Sequence, residues 1–195
     1  MTSVALVPAA GRSDRFGSPK LTTDLQGEPL LSRTIRSLLE GHVARVVVVA
    51  SHTGAFERVR LLRDPRVRMV VNPDADRGMF SSIQTGLAAS DGDPILILPG
   101  DMPFVQPATV AAVLEAYHRA PGFIVPQRHS RSGHPIALPG SIRSAVLAAS
   151  PTTSLSELIR AQRLVRVEIE VDDGGILRDV DTPADLMEGN GLFPE

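Results

Sequence analysis

The strongest constraint on the fold of this chain is the alternation of short apolar runs with helix-patterned segments. The runs are rich in β-branched residues, and several are apolar on both faces, which is typical of strands in a buried parallel sheet. They span residues 3–7, 45–50, 67–71, 95–98, 123–125 and 165–171. Between them, apolar side chains recur at helical spacing, over residues 30–39 with Gly41 as the stop, and again after Pro107 and Pro139. This pattern predicts a single α/β domain with a mostly parallel sheet between two layers of helices.

The composition excludes several classes of function. Because 20 Lys+Arg nearly balance 22 Asp+Glu, we expect neither a nucleic-acid partner nor an anionic membrane partner. The absence of cysteine excludes disulfides, thiolate metal sites and a Cys nucleophile. No apolar run approaches the ~20 residues of a membrane helix, and the first ten residues lack the cationic lead-in of a signal peptide. We expect a cytoplasmic domain over residues 1–188 and a flexible tail over residues 189–195.

The first candidate site is the loop after the first predicted strand, because ligands of open parallel sheets bind beyond the carboxyl ends of the strands. Its small residues let backbone N–H groups approach an anion, and three cations within nine residues suit a triphosphate. The spacing matches neither a Walker loop nor a Rossmann fingerprint, and a solvated basic loop is the alternative. The small residues are Ala9, Ala10 and Gly11, and the cations are Arg12, Arg15 and Lys20.

Carboxylates follow later strand-like segments. Asp101 comes shortly after the apolar run at residues 95–98, where a carboxylate fits a Mg²⁺ ligand; a turn or helix-capping role is the alternative. Asp179 and Asp181 lie two residues apart and therefore point the same way in an extended segment.

Three other aspartates are interpreted as structural. Asp185 follows Thr182-Pro183 in the first turn of a predicted helix, where a carboxylate stabilises the helix dipole. Asp172 and Asp173 precede two glycines and are interpreted as turn residues on a solvated face.

Two further segments carry polar residues after strands. Asn72 leads from one strand towards a helix whose first turn carries Ser81 and Ser82. Free N–H groups there can bind an anion or a base edge, and ordinary capping by either serine is the alternative. His134 lies in a Ser-Gly-His-Pro turn that leads into a strand, where a structural role competes with a catalytic one.

Taken together, six segments in this order resemble a nucleotidyltransferase family that includes the molybdenum-cofactor cytidylyl- and guanylyltransferases. The family signature A-A/G-G-x-S-x-R-x-G-x-x-K is met by residues 9–20, and residues 72–82 are similar to its N-P…G-M-x-S-S segment. The other matching segments are L-Q-G-E-P-L at residues 25–30, G-D-M-P-F-V at 100–105, G-H-P at 133–135 and D-x-D-T-P-x-D-L at 179–186. The resemblance implies a single Rossmann-like, three-layer nucleotidyltransferase domain of the nucleotide-diphospho-sugar transferase type.

The resemblance also implies a reaction. A nucleoside monophosphate is transferred from an NTP to a phosphate-bearing acceptor with Mg²⁺ or Mn²⁺, and pyrophosphate leaves. The nucleophile is already anionic, so catalysis is positioning and charge neutralisation and needs no Ser, Cys or His activator. By resemblance, the catalytic residues are Lys20, Arg15 and Asp101, and the metal ligands are Asp101, Asp181 and Asp179. The nucleotide-binding residues are Ala9, Ala10, Gly11, Arg12, Ser13, Lys20, Asn72, Ser81 and Ser82, and His134 faces the acceptor.

The same resemblance favours CTP over GTP and molybdopterin or molybdenum cofactor as the acceptor, with a molybdoenzyme or its chaperone as a protein partner. Ala10 completes the Ala-Ala-Gly of the cytidylyl branch, where the guanylyl branch has Ala-Gly-Gly. Two residues depart from the pattern: Phe80 replaces a Ser, and Pro8 makes the loop similar to cytidylyltransferases of isoprenoid precursor synthesis. The alternatives are a sugar- or alcohol-phosphate cytidylyltransferase, a guanylyltransferase of the same fold, and a non-catalytic nucleotide-binding protein.

Overall fold

The computed structural model describes residues 2–11, 20–51, 56, 59–150 and 152–188. Within these ranges, eight strands form one sheet, and β2 (Asp24–Leu25) and β3 (Glu28–Pro29) form a separate hairpin. The strands of the sheet are β1 (Val4–Ala9), β4 (Arg45–Ala50), β5 (Val67–Val71), β6 (Ile95–Ile97), β7 (Phe123–Arg128), β8 (Arg131–Ser132), β9 (Ile136–Leu138) and β10 (Arg166–Glu170). The helices are α1 (Leu30–Glu40), α2 (Met79–Ala88), α3 (Pro107–Arg119), α4 (Arg143–Ala148), α5 (Leu155–Ala161) and α6 (Pro183–Glu188). Among the described residues, no helix is long and apolar enough to cross a membrane.

The sheet is mixed but mostly parallel, which confirms the predicted fold class. The strand order is β10-β7-β9-β6-β1-β4-β5, with β8 paired to β7. The pairs β6–β1, β1–β4, β4–β5 and β7–β10 are parallel. The short strand β9 runs antiparallel between β6 and β7, with Leu138 opposite Ile95.

Two apolar layers explain why the central strands are apolar on both faces. Ala5 and Val7 of β1 belong to the core cluster that contains the apolar side chains of α1 and α3. Their neighbours Val4 and Leu6 belong to the opposite cluster, with the apolar side chains of α2 and α4. Because successive strand residues point to opposite faces, a strand covered on both sides has no position left for a solvated polar residue.

Helix α1 ends at Gly41 as predicted, but the glycine is required by packing and not by its backbone conformation. Gly41 has an ordinary φ of −78°, and the left-handed conformation falls on His42, with φ 69°. A Cβ at Gly41 would lie 2.5 Å from the Cβ of Val110 and 2.9 Å from the carbonyl oxygen of Pro107. The glycine therefore permits the close approach of α1 and α3.

The first strand extends further than predicted. The sequence pattern predicted a strand over residues 3–7, whereas β1 continues to Ala9, and its pairing with β4 includes Pro8 opposite Val49. Ala10 and Gly11 therefore follow directly at the carboxyl edge of the sheet.

Candidate functional site

A cleft of about 250 Å³, the central cleft, lies at the carboxyl ends of β1 and β6. The chain leaves β1 for α1 on one face of the sheet and enters β6 from α2 on the other, so the cleft lies where the connections diverge. The predicted site residues that line it are Ala9, Ala10, Gly11, Lys20, Ser82, Asp101 and Asp181.

The backbone around Asp101 is fixed by three separate parts of the chain. The Gly100 N–H donates to the carbonyl of Pro8 (2.9 Å), which extends the β1–β6 pairing beyond the strands. The Thr34 hydroxyl of α1 donates to the Gly100 carbonyl (3.0 Å), and the Val180 N–H donates to the Asp101 carbonyl (2.9 Å). Asp101 is thereby held at the sheet edge next to the segment that carries Asp181.

Lys20 joins the two carboxylates. Its ammonium Nζ lies 2.9 Å from Asp101 Oδ2 and 3.0 Å from Asp181 Oδ1. Burial lowers the pKa of Lys20, but hydrogen bonds and charge attraction from Asp101 and then Asp181 outweigh it, so the pKa lies above its ordinary value. The cleft thus brings the Lys20 cation together with two anions that lie 81 and 161 residues further along the chain.

The donor chemistry of this group fits a hard divalent cation. Two carboxylate oxygens converge on one point, and Mg²⁺ is commonly held by one or two carboxylates, with phosphate oxygens and water completing its coordination. Asp179, the third predicted ligand, is exposed and is not among the residues lining the cleft. Over the described part of the chain, no group of three or more His, Asp or Glu side chains has metal-binding geometry. A metal ion bound here would therefore be held by Asp101, Asp181 and the phosphate oxygens of a substrate.

The opposite wall of the cleft is the start of α2. Gly78, with φ 87°, precedes the helix in a conformation that favours glycine, and neither serine caps the helix. Asn72 Nδ2 donates to the hydroxyls of Ser81 (2.8 Å) and Ser82 (3.1 Å), and all three residues are buried. Of these three, only Ser82 lines the cleft, while Asn72 and Ser81 lie behind its wall and hold the loop.

A second cleft, the side cleft, has a volume of about 840 Å³ and shares Met79 with the central cleft. His134 lines it, with its Nδ1 3.3 Å from the carbonyl oxygen of Ile97. Burial lowers the pKa of His134, and the contact with Ile97 and the charge of Asp101 only partly offset that effect. With its pKa below the ordinary value, the imidazole is mainly neutral at pH 7, and its contact with Ile97 places it beside the end of β6.

All three structural interpretations can be compared with the structure, and the exposed side chain of Asp172 agrees with its interpretation as a solvated residue. Asp185 accepts hydrogen bonds from the N–H groups of Thr182 (2.6 Å) and Asp181 (2.9 Å), which lower its pKa and confirm the structural interpretation. The interpretation of Asp173 as a solvated turn residue is wrong, because its side chain is 2% exposed. It accepts from the Gln106 N–H (2.9 Å) and the Thr109 hydroxyl (2.7 Å) and so ties this turn to the start of α3.

Other site features lie outside the described residues or were missed. Arg12, Ser13 and Arg15 lie outside the described residues, and so does the predicted tail at residues 189–195. Lys20 is the only lysine of the chain, a compositional signal that singles it out. The part of the side-cleft wall that α5 forms was not predicted, although the capping box of Ser154 and Glu157 marks the start of that helix in the sequence.

Comparisons with known proteins identify the family and the fold. A family model described as the MobA-like NTP transferase domain matches residues 5–167. The chain is 23% identical to the molybdenum cofactor cytidylyltransferase of Escherichia coli strain K12, over 97% of this chain and 96% of that protein. It is 29% identical to the phosphoenolpyruvate guanylyltransferase of Rubrobacter xylanophilus, over 98% and 96% of the two chains. Among solved structures, the Rv0371c protein of Mycobacterium tuberculosis H37Rv superimposes with a TM-score of 0.80 at 24% identity, covering 96% of each chain. Its manganese complex has a TM-score of 0.74 at 23% identity, covering 96% of this chain and 97% of that one.

Proposed function

Because the chain belongs to the MobA-like NTP transferase family, whose members are nucleotidyltransferases, we propose that it transfers CMP from CTP to a phosphate-bearing acceptor of the molybdopterin class. The observation that carries the proposal is the convergence of Lys20, Asp101 and Asp181 beside the Ala10-Gly11 loop. A metal triphosphate needs carboxylates for the metal and cations and N–H groups for the phosphates, and the central cleft offers both.

In the proposed reaction, a phosphate oxygen of the acceptor attacks the α-phosphorus of CTP. A new P–O bond forms, the bond from the α-phosphorus to the bridging oxygen of the β-phosphate breaks, and pyrophosphate leaves with the electron pair. A bound Mg²⁺ or Mn²⁺ supplies charge neutralisation at the phosphates. Asp101 and Asp181 would hold that ion, and Lys20, released from them, would neutralise charge on the leaving pyrophosphate.

The remaining residues of the central cleft position the nucleotide. Ala10 and Gly11 line the cleft with little side-chain bulk, and none of the described residues comes within 4 Å of a Cβ built at Gly11, so backbone N–H groups there can approach a phosphate closely. Ser82 and the start of α2 lie on the opposite wall, where unpaired helical N–H groups favour an anion or a base edge. Arg12, Ser13 and Arg15 complete the phosphate-binding loop in this proposal.

The acceptor occupies the side cleft in this proposal. That cleft meets the central cleft at Met79, and Arg77 and the neutral His134 also line it. An acceptor phosphate at this junction would lie next to the α-phosphate of the nucleotide. The position of His134 supports its assignment to the acceptor side.

The second candidate is guanylyl transfer to phosphoenolpyruvate, which the full-length similarity to the Rubrobacter xylanophilus enzyme favours. The size of the side cleft counts against it. A volume of about 840 Å³ is within the range of pockets for drug-sized ligands, roughly 300–1,000 Å³, and phosphoenolpyruvate would fill little of it.

Pyrophosphate release tests the proposal. The chain would be incubated with Mg²⁺, each of the four common NTPs in turn, and one of three acceptors: molybdopterin, a sugar phosphate or phosphoenolpyruvate. We expect release that requires acceptor and is fastest with CTP and molybdopterin. Fastest release with GTP and phosphoenolpyruvate would support the second candidate, and no acceptor-dependent release with any pair would contradict both.

A further inference from the structure

The side cleft continues into a smaller groove between α5 and β10, with a volume of about 520 Å³. The residues common to the two include Phe123, Ile159 and Arg166, and the groove adds Arg160, Arg163 and Leu164. We call it the arginine groove. The side cleft thus adjoins two separate spaces: the central cleft at Met79 and the arginine groove at β10.

The floor that connects the side cleft to the arginine groove is apolar. Phe123, Ile159 and Leu164 are half-buried and pack against the core cluster on the α2 side of the sheet. The guanidinium carbon of Arg166 lies 5.4 Å from the centre of the Phe123 ring, within the range of a cation–π contact. An apolar or aromatic ligand body that crossed this floor would cover carbon surface and not displace water from polar groups.

The arginine groove carries an excess of positive charge. Arg166 is paired with Glu168 at 2.7 Å, but the ion pairs of the described residues include neither Arg160 nor Arg163. Arg160 Nε donates only to the backbone carbonyl of Ser156 (3.3 Å). No Asp or Glu is among the described residues that line the side cleft or the arginine groove. Glu157, three residues before Arg160 on α5, interacts with that arginine through its charge, and Glu168 offsets Arg166. Three arginines against these two carboxylates, neither of which lines the groove, leave an excess of positive charge beside the apolar floor that attracts an anion.

The backbone at Arg163 is unfavourable for an arginine. Arg163 has a φ of 49° just after the end of α5. Its N–H donates to the Arg160 carbonyl, and the Leu164 N–H donates to the Ile159 carbonyl. Glycine is the usual residue at this left-handed position after a helix. The stability of the helix end therefore does not account for an arginine here, whereas a charge at the groove does.

From these observations we propose that the acceptor carries a second anionic group, separated from its reacting phosphate by an apolar ring system. The inference rests on the proposed function, since it takes the side cleft as the acceptor site. The reacting phosphate would lie at the Met79 end, the ring system on the Phe123 floor, and the second anion between Arg160 and Arg163. The arginine groove is then a specificity-determining site that distinguishes dianionic acceptors from simple phosphate monoesters.

Two synthetic probes test this arrangement: 2-naphthyl phosphate, and 6-carboxy-2-naphthyl phosphate, which adds a carboxylate at the far end of the ring. Since the chain contains no tryptophan, naphthyl fluorescence reports binding directly. We expect the carboxylate probe to bind wild-type protein about tenfold more tightly, as one charge-assisted contact predicts. In a variant with both Arg160→Gln and Arg163→Gln, the two probes should bind equally. Arg119→Gln, an exposed arginine on α3, is the control and should keep the preference.

Binding of CTP with Mg²⁺ is measured in the same variants to separate this inference from the proposed function. The arginine groove does not line the central cleft, so CTP affinity should be unchanged by Arg160→Gln and Arg163→Gln. Equal affinity of the two probes for wild-type protein, a preference that survives in the double variant, or no binding of either probe would each overturn the inference. If wild-type protein does not bind CTP with Mg²⁺, that result would instead contradict the proposed function.

Discussion

Replacing Lys20 by methionine removes the cation between Asp101 and Asp181 and keeps much of the side chain's volume. Each of the two ion pairs, at 2.9 and 3.0 Å, has a gross Coulomb energy of about 6 kcal/mol at an effective dielectric constant of ~20. Desolvation of the ammonium cancels most of this energy, as does solvent screening of Asp181, whose side chain is 46% exposed. Exposed pairs contribute about 0–1 kcal/mol, and breaking a buried pair costs about 3–5 kcal/mol. We therefore expect Lys20→Met to lower the free energy of unfolding by about 1–3 kcal/mol in metal-free buffer.

A divalent cation should restore part of that stability. The variant keeps both carboxylates of the proposed metal site without the Lys20 ammonium between them, so Mn²⁺ can bind there without displacing it. Urea denaturation followed by circular dichroism, in EDTA and then in saturating Mn²⁺, measures both effects. We expect Mn²⁺ to raise the unfolding free energy of Lys20→Met by more than that of wild-type protein.

The matched control is Arg36→Met, which removes a half-exposed arginine paired with Glu28 outside the central cleft. Its loss should be below about 1 kcal/mol, and Mn²⁺ should not restore it. Unchanged stability of Lys20→Met, or an equal effect of Mn²⁺ on Lys20→Met and wild-type protein, would refute the assignment of Lys20 as the counter-ion of both carboxylates.

Two further predictions concern the same region. In protein labelled with ¹³C-lysine, the single Lys20 signal should titrate above the ordinary lysine pKa of 10.5, because the attraction of Asp101 and then Asp181 outweighs burial. Its stabilisation is then fully present at neutral pH and is lost only as the pH rises through the raised pKa, and a signal titrating at or below 10.5 would contradict the ion-pair geometry. Asp173→Asn should lower the free energy of unfolding by about 1–3 kcal/mol in urea denaturation, because an amide cannot accept from all the donors around this buried carboxylate. Asp172→Asn, at an exposed position next to it, should have no effect, and equal stability of the two variants would contradict the buried role of Asp173.

The fold could be predicted from the sequence as far as its continuous apolar runs and helical patterns extend. The alternation of apolar runs and helices predicted the central parallel strands, because strands covered on both faces are recognisable from continuous β-branched runs such as that of β4. Strand β9 is three residues long and pairs with β6 and β7 in an antiparallel sense that no local pattern specifies. Similarly, the glycine at position 41 marked the end of α1, but its contact with Val110 depends on the packing of a distant helix.

In the candidate site, too, some features were predictable from the sequence and others were not. The carboxyl-edge rule predicted that Asp101 and the loop that ends at Lys20 lie at the ligand-binding edge of the sheet. The family resemblance grouped Asp181 with them, and the structure brings the three side chains into direct contact. The burial of Asp173 was not predictable because its partners at Gln106 and Thr109 are more than 60 residues away. A turn sequence with two glycines is the same whether it faces solvent or a helix start.

The central claim is that Asp101 belongs to a metal–triphosphate site that performs nucleotidyl transfer, and pyrophosphate release by Asp101→Asn tests it most directly. The assay uses CTP, Mg²⁺ and the acceptor that gives fastest release with wild-type protein, and circular dichroism checks the fold of the variant. Asp91→Asn, at an exposed position outside the cleft, serves as the matched control. We expect Asp101→Asn to reduce Mg²⁺-dependent release by about 10²–10³-fold, typical of losing one group that stabilises transition-state charge, while Asp91→Asn retains wild-type rates. Release by folded Asp101→Asn at the wild-type rate would contradict the claim.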